Sequence, residues 1–481
     1  MASLSLKKIT AVWIYTILIL FVLAILMGIT MRFTQGKTIS VSPIEFYLLM
    51  TTHGVTMIGI WAAAGIVAVN YLLARYIKVS TSLNVFALVF TVISILMLWA
   101  STFIGKFHAG WTFLYPLPFH IAWETWATPM FLWSLMVLSV SWFIWTLGSM
   151  VQILKKYSLR QSFAIQHISK KSPSVETPPL VLISMVSLLG MVVCFIAAII
   201  LLALLLAEYY SAGKFVNDPL LIKNLTFFFG HTIANEALYL GLATLYELLP
   251  EVSGRPKFKT TWYVALGWNC AIIFILGAFF HHLYMDFVQP KGFQIFGQIA
   301  SYFATIPSVV VTIISIVTLL YNNKIKWSLV NLLFFIGLMG WIIGGIGAVI
   351  DATISNNIIL HNTLWVPAHF HTYNVMGNVL FSLAFFVWVA NEFSDNNDLQ
   401  KYNKLVMPLL MVGGFGFVLM FYWAGAYSVP RRFAMYPSEL SSGTALASAA
   451  AWFACIYLVG VLLVLFDVLK KCAKVFSSSS H

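Results

Sequence analysis

Six of the eleven histidines in this 481-residue chain fall inside long apolar stretches: His53, His231, His281, His282, His369 and His371. An ionisable side chain inside an apolar span is expensive and marks a functional site by default. Neutral imidazole is the commonest protein metal ligand. The four cysteines, Cys194, Cys270, Cys455 and Cys472, lie far apart and form no CxxC or CxxCH motif. That excludes a thiolate metal site, a disulfide framework and covalently attached haem c. Six imidazoles without thiolates point to haem iron together with copper or non-haem iron.

Helical geometry divides the six. Neighbouring residues stand about 100° apart around a helix. His369 and His371 are therefore about 200° apart; they face opposite sides and can serve two haems flanking one helix. His281 and His282, about 100° apart, can share one metal at a helix end, and His231 from a neighbouring helix can make it a three-imidazole site. His53 is left to pair with one of the two span-ten histidines across a six-coordinate haem.

Composition dictates the elements that hold these residues. The chain is 61% apolar and 9% charged, with a mean hydropathy of +0.91; soluble domains run near 45–50% and 25%. This is the signature of an all-α integral membrane protein. A water-soluble enzyme, a disordered chain and an outer-membrane barrel, which reads as short alternating segments, are excluded. A spanning helix needs about 20 apolar residues. Twelve stretches qualify, at 9–31, 44–74, 82–105, 125–153, 179–207, 219–249, 261–286, 293–321, 327–352, 364–391, 404–427 and 442–469. They form one transmembrane domain over 1–481, without internal repeats. The segment 154–178 reads as a cytoplasmic loop and 475–481 as a disordered tail. Most of the 27 Lys and Arg, and the net charge of +12, then lie in inner loops if both termini are cytoplasmic, as the positive-inside rule asks. In that orientation all six histidines sit in the outer half of the membrane, at similar depth.

The segments GHTIANEALYL from Gly230, FFHHLYMDF from Phe279, WVPAHFHTYNVMGN from Trp365 and TTHGV around His53 resemble the haem–copper oxidase superfamily, over nearly the whole chain. The resemblance implies a twelve-helix bundle like subunit I of those oxidases. It assigns His53 and His371 to a low-spin haem and His369 to a high-spin haem. It assigns His231, His281 and His282 to a non-haem metal, copper rather than iron. Arg431 and Arg432 match the family's arginine pair for haem propionates, where adjacent guanidiniums bind carboxylates bidentately; His361 is a further propionate contact. The stretches WTFLYPL from Trp111 and HNTLWVPAHFH from His361 look like outer segments of the B-type oxidases.

The pattern departs at one point. Oxygen reductases of this superfamily carry a tyrosine four residues after the first non-haem ligand, or, in the cbb-type, six residues before the HH pair. Here those positions are Asn235 and Ile275. Tyr239 and Tyr284 are unsuited as substitutes, the first too far along the helix and the second toward the surface. Loss of the phenol marks the nitric oxide reductases, and asparagine in its place resembles their minor copper-containing group. The expected function is reduction of two nitric oxide molecules to nitrous oxide and water, with Asn235 near the substrate and the mid-span carboxylate Glu236 as a proton carrier. Two haems of b-type and one non-haem metal are the implied cofactors. A small electron-input subunit with a dinuclear copper centre, fed by cytochrome c or a similar donor, is the implied partner, and a prokaryotic cytoplasmic membrane the implied location. A terminal oxygen reductase is the alternative enzyme. A twelve-span transporter explains the buried Glu236 but not the histidine pairs, and would predict inverted repeats.

Overall fold

The computed structural model describes residues 3–119, 122–169, 174–321, 324–325, 327–394 and 403–477. Twelve long helices account for most of them: α1 Leu4–Gln35, α2 Pro43–Leu73, α3 Thr81–Trp99, α4 Ala127–Leu154, α5 Pro179–Tyr210, α6 Pro219–Val252, α7 Trp262–Ala278, α8 Lys291–Leu320, α9 Leu329–Ala352, α10 Trp365–Ser394, α11 Asn403–Ala426 and α12 Ser441–Ser477. No strand forms among the described residues; one isolated bridge joins Thr363 and Pro430.

Eleven of these helices are long and apolar enough to cross a membrane. The exception is α6, which has ample length at 34 residues. It carries His231, Asn235, Glu236, Glu247 and Glu251, and these polar groups dilute its apolar character. Its low hydropathy follows from the residues that make it a functional candidate.

Helix starts follow the local chemistry. Ser42 and Glu45 form a reciprocal capping box ahead of α2, with Pro43 in the first turn, where its missing N–H costs nothing. The Asp218 carboxylate accepts the Leu221 N–H before Pro219 opens α6. Two helices change pitch, one of them beside a histidine pair. α3 ends in a π-helical turn at Ala100–Ile104, and α10 carries one at Asn374–Asn378, just past its histidine pair. Such widened turns concentrate at functional sites. Gly340 and Gly344 on α9 remove the side chains that would meet Met376 and Tyr373, so α9 and α10 approach at the backbone. Small residues serve this purpose in membrane helix packing.

Two expectations need adjustment. The segment 154–178 is not wholly irregular: short helices form at Leu159–Ser162 and Ile165–Ser169, while 170–173 lie outside the described residues. The expected tail is helical through Ser477, with Val475 buried, because α12 continues its apolar face beyond the hydrophobic run; 478–481 lie outside the described residues.

Candidate functional site

Nearly every candidate residue lines one internal cavity of about 380 Å³. His53, His231, His281, His282, His369, His371, His361, Arg431, Arg432 and Asn235 all face it. Four helices and two loops, remote in sequence, bring them together.

The three-imidazole cluster forms as the spacing requires. One ring nitrogen each of His231, His281 and His282 lies within 4.8 Å of the others. The His231 ring centroid is 5.0 Å from that of His281 and 5.4 Å from that of His282. His281 and His282 occupy a 3₁₀ turn, Phe279–Leu283, that tightens the end of α7, so consecutive residues aim at one centre. The Ser301 hydroxyl on α8 donates to the Gly297 carbonyl at 2.7 Å, so its lone pair faces His281 Nδ1, 3.0 Å away. His281 Nδ1 is then the protonated nitrogen and Nε2 keeps its lone pair. His282 stacks on Phe227, with ring centroids 5.3 Å apart and planes 18° apart. His231 Nδ1 is buried without a hydrogen-bond partner. An orphaned ring nitrogen is costly in a protein interior, and a metal ion would satisfy it. The all-nitrogen donor set fits copper and leaves iron without an oxygen ligand.

The other three imidazoles each turn toward the cavity. His53 Nδ1 lies 2.7 Å from the Ala24 carbonyl and His371 Nδ1 lies 2.7 Å from the Pro367 carbonyl. A carbonyl can only accept, so each Nδ1 carries the proton and each Nε2 is free to ligate. Such supporting bonds fix the tautomer and orientation of ligating histidines. Gly28 makes room for His53: a Cβ there would stand 2.8 Å from His53 Cε1. His371 packs against Phe417 and Phe421 on α11, and Phe370 stacks on Trp111 at 6.0 Å. His369, on the opposite face of α10, has Nε2 3.4 Å from Asp351 Oδ2 and no hydrogen bond on either ring nitrogen. Three imidazoles with uncommitted nitrogens on one cavity fit two haems.

Arg431 and Arg432 are pinned beside the start of α10. Arg431 N–H donates to the Asn362 carbonyl at 2.9 Å, and Tyr47 donates to the Arg432 carbonyl at 3.0 Å. Arg432 has φ 69°, the left-handed region uncommon for non-glycine residues. Both guanidiniums face the cavity, and neither forms an ion pair among the described residues. Burial, followed by repulsion from Arg432, pushes Arg431 down to about 10. Burial and then Arg431 push His361 down to about 4. Adjacent half-buried cations without a counter-ion fit haem propionates.

The two catalytic candidates on α6 separate. Asn235 lines the cavity, but its Nδ2 donates to the His231 carbonyl at 2.8 Å and lies 3.4 Å from His231 Nε2. The expectation that this amide donates to substrate therefore requires rotation of the side chain; in the structure its hydrogen bond is to the His231 backbone carbonyl. Glu236 faces away from the cavity. It is fully buried, and neither carboxylate oxygen has a hydrogen-bond partner. The carboxylate fills a notch left by Gly190 on α5. The hydroxyls of Ser184, Ser187 and Thr232 are also buried and unpartnered. Tyr239 packs on Trp268, and Tyr284 donates to the Ala352 carbonyl at 3.0 Å; neither lines the cavity.

Three participants escaped the sequence reading. Ser301 had no signal, because a lone serine on an apolar helix is common. Arg32, counted with the outer loop, belongs to the last turn of α1; it is buried, lines the cavity, donates to Gln35 Oε1 at 2.5 Å and lies 4.2 Å over the Phe421 ring. Tyr373 lines the cavity with its ring 6.4 Å from that of His369. The four-residue step that singled out Asn235 from His231 would have found Tyr373 from His369.

Comparison with known proteins gives the chain's family and fold. The sequence profile of the family described as cytochrome c and quinol oxidase polypeptide I matches residues 8–465. The chain is 25% identical over 456 residues to cytochrome c oxidase polypeptide 1 of Halobacterium salinarum, covering 89% of this chain and 70% of that protein. It is 26% identical over 458 residues to cytochrome c oxidase subunit 1 of Thermostichus vulcanus, covering 90% and 78%. In fold it is similar to a haem–copper terminal oxidase dimer solved by cryo-electron microscopy, with a TM-score of 0.81 and 22% identity, covering 98% of this chain and 84% of that one.

Proposed function

We propose, from the premise that this chain belongs to the cytochrome c and quinol oxidase polypeptide I family, that it is the catalytic subunit of a nitric oxide reductase. Members of the family are membrane oxidoreductases that bind haems and a copper or other metal centre and draw electrons from cytochrome c or quinol. The observation that carries the narrower reading is Asn235. An amide stands beside the first ligand of the metal cluster, on the cavity wall, where oxygen reductases resemble one another in having a phenol. An amide gives up neither an electron nor a proton. Splitting oxygen needs four electrons delivered promptly, and a phenol beside the metal supplies one of them. Two nitric oxide molecules need only two electrons and two protons to give nitrous oxide and water, so no protein radical is required.

In this reading His53 and His371 hold the low-spin haem, and His369 the high-spin haem. His231, His281 and His282 hold the non-haem metal, with copper favoured by the all-nitrogen donor set. Arg431, Arg432 and His361 receive the propionates. The bound haem and metal supply the electrons and polarise the substrate. The chain's own residues shape its surroundings: Asn235 stands beside His231 on the cavity wall, and the apolar walls formed by Ile275, Phe227 and Leu238 exclude water. Glu236, just over one turn past His231 and buried in the Gly190 notch without a hydrogen-bond partner, holds and passes a proton through internal water, which buried unsatisfied polar groups recruit. All twelve long helices cross the membrane, α6 included, with both termini inside a prokaryotic cytoplasmic membrane. A separate small subunit delivers electrons from cytochrome c or a similar donor.

One observation favours a second reading. Tyr373 places a phenol on the cavity wall next to His369, and an oxygen reductase using it in place of the usual tyrosine is the alternative. Asn235→Leu separates the two. Under the nitric oxide reductase reading, it retains both haem spectra and the metal but slows nitrous oxide formation. Under the oxygen reductase reading, Asn235→Leu is silent and Tyr373→Phe abolishes oxygen turnover.

A further inference from the structure

At one end of the bundle, the connection 74–78 that follows α2 and the end of α4 line an open pocket of about 360 Å³. Its polar lining is Arg75, Tyr76, Lys78, Gln152, Lys155 and Lys156. The charges are unevenly paired. Arg75 is committed to Glu247 and Glu251, each at 2.8 Å, and Lys257 reaches Glu247 at 3.3 Å. Lys156 donates to the Tyr76 carbonyl at 2.5 Å, which leaves its charge uncompensated. Lys78 and Lys155 are exposed and form no ion pair among the described residues. The pocket therefore carries a surplus of three ammonium groups.

The surroundings name the ligand. Val140, Ile144, Leu147 and Val151 on α4 are exposed apolar residues at spacings of four, three and four, so they line one face of the helix. Lys155 continues that face at its end, one turn beyond Val151. From Val140 to Val151 the stripe is about 16 Å long, about half the roughly 30 Å hydrocarbon core and so close to one leaflet. A cationic pocket at the foot of a leaflet-length apolar stripe matches a molecule with a phosphodiester at one end and an acyl chain at the other. Basic pockets between helices at the cytoplasmic boundary hold anionic lipid headgroups.

We propose that this pocket binds one anionic glycerophospholipid, its phosphate between Lys78, Lys155 and Lys156 and an acyl chain along Val140–Val151. A free phosphate shares the headgroup chemistry but not the stripe. The test uses the haem-loaded protein in nanodiscs of phosphatidylcholine doped with phosphatidylglycerol, and counts retained phosphatidylglycerol by native mass spectrometry. The native protein retains it in preference to phosphatidylcholine. K78Q/K155Q lowers that retention on the order of tenfold, from the contribution of each lysine near a membrane surface, with haem spectra unchanged. K155Q alone gives a smaller loss and serves if the double variant does not fold. K470Q/K474Q, which removes two lysines at the end of α12, leaves retention as native, and inorganic phosphate does not displace the lipid. Equal retention in K78Q/K155Q or K155Q and the native protein overturns the proposal. So does an equal loss in K470Q/K474Q, which would mean unspecific charge, or displacement by phosphate, which would mean a free-anion site.

Discussion

Ser301→Ala should weaken the non-haem metal without touching either haem. Ser301 sits on α8, outside the ligand set, and its hydroxyl is committed in both directions: it donates to Gly297 and faces His281 Nδ1 at 3.0 Å. Both residues are buried. Alanine removes one oxygen, leaves the helix intact and strands the imidazole N–H away from water. Leaving a buried polar group unsatisfied costs about 1–3 kcal/mol. At about 1.4 kcal/mol per tenfold, that corresponds to roughly a 5- to 150-fold loss of metal affinity, in line with the roughly 10- to 100-fold effect of losing the outer partner of a ligating histidine. The assay is metal content against increasing free chelator, with both haem spectra recorded on the same samples. Ser301→Thr keeps the hydroxyl and should restore native retention. A Ser301→Ala protein that holds its metal as tightly as the native one would refute the role given to this hydrogen bond, and loss of haem together with metal would show that the serine merely supports the fold.

Other consequences can be checked alongside. His53→Ala or His371→Ala should abolish the low-spin haem spectrum and leave a high-spin one, and His369→Ala should do the opposite; an intact low-spin signal in His371→Ala contradicts the assignment along α10. Glu236→Gln should remove a deuterium-sensitive protonated-carboxyl band from the infrared difference spectrum and slow turnover with unaltered haems; an unchanged band and rate would reduce Glu236 to a packing residue. The loop between α4 and α5 should loosen in acid. The Thr177 N–H donates to His167 Nε2 at 3.2 Å, and burial lowers the His167 pKa below its usual 6.5. The undocked segment therefore takes the proton first, and docking is full above about pH 6.5 and lost as pH falls toward the lowered value. Hydrogen exchange at Thr177 should rise on acidification, and His167→Gln should flatten that dependence; a flat native profile would count against it.

What the sequence could reveal followed from periodicity and cost. Most long helices begin and end within a few residues of an apolar run, because about 20 apolar residues in lipid favour a helix; α7 ends early in the turn that carries His281 and His282, and α12 runs on to Ser477. The histidines stood out because ionisable groups are rare there, and the 200° between His369 and His371 implied two faces. Orientation within a site was less legible. The four-residue step put Asn235 beside His231 but could not show that its amide folds back onto the His231 carbonyl. Glu236 stood out as a mid-span carboxylate, yet the Gly190 notch that receives it needed the α5–α6 register. Arg32 read as a loop cation because the apolar run before it ends early, while the helix continues to Gln35. Ser301 contributes through a contact with His281 on another element, which no local pattern encodes, whereas Tyr373 lies one helical turn from His369 and was open to the same four-residue step as Asn235.

The central claim is that a cavity with Asn235 beside its three-histidine metal reduces nitric oxide rather than oxygen. Its most direct test is steady-state turnover of one purified, metal-analysed preparation, supplied with the same reductant and offered each gas in turn. The account predicts two haem irons and one copper per chain, rapid nitrous oxide formation and much slower oxygen consumption. Reduction of oxygen to water well above the nitric oxide rate would contradict it and turn attention to Tyr373.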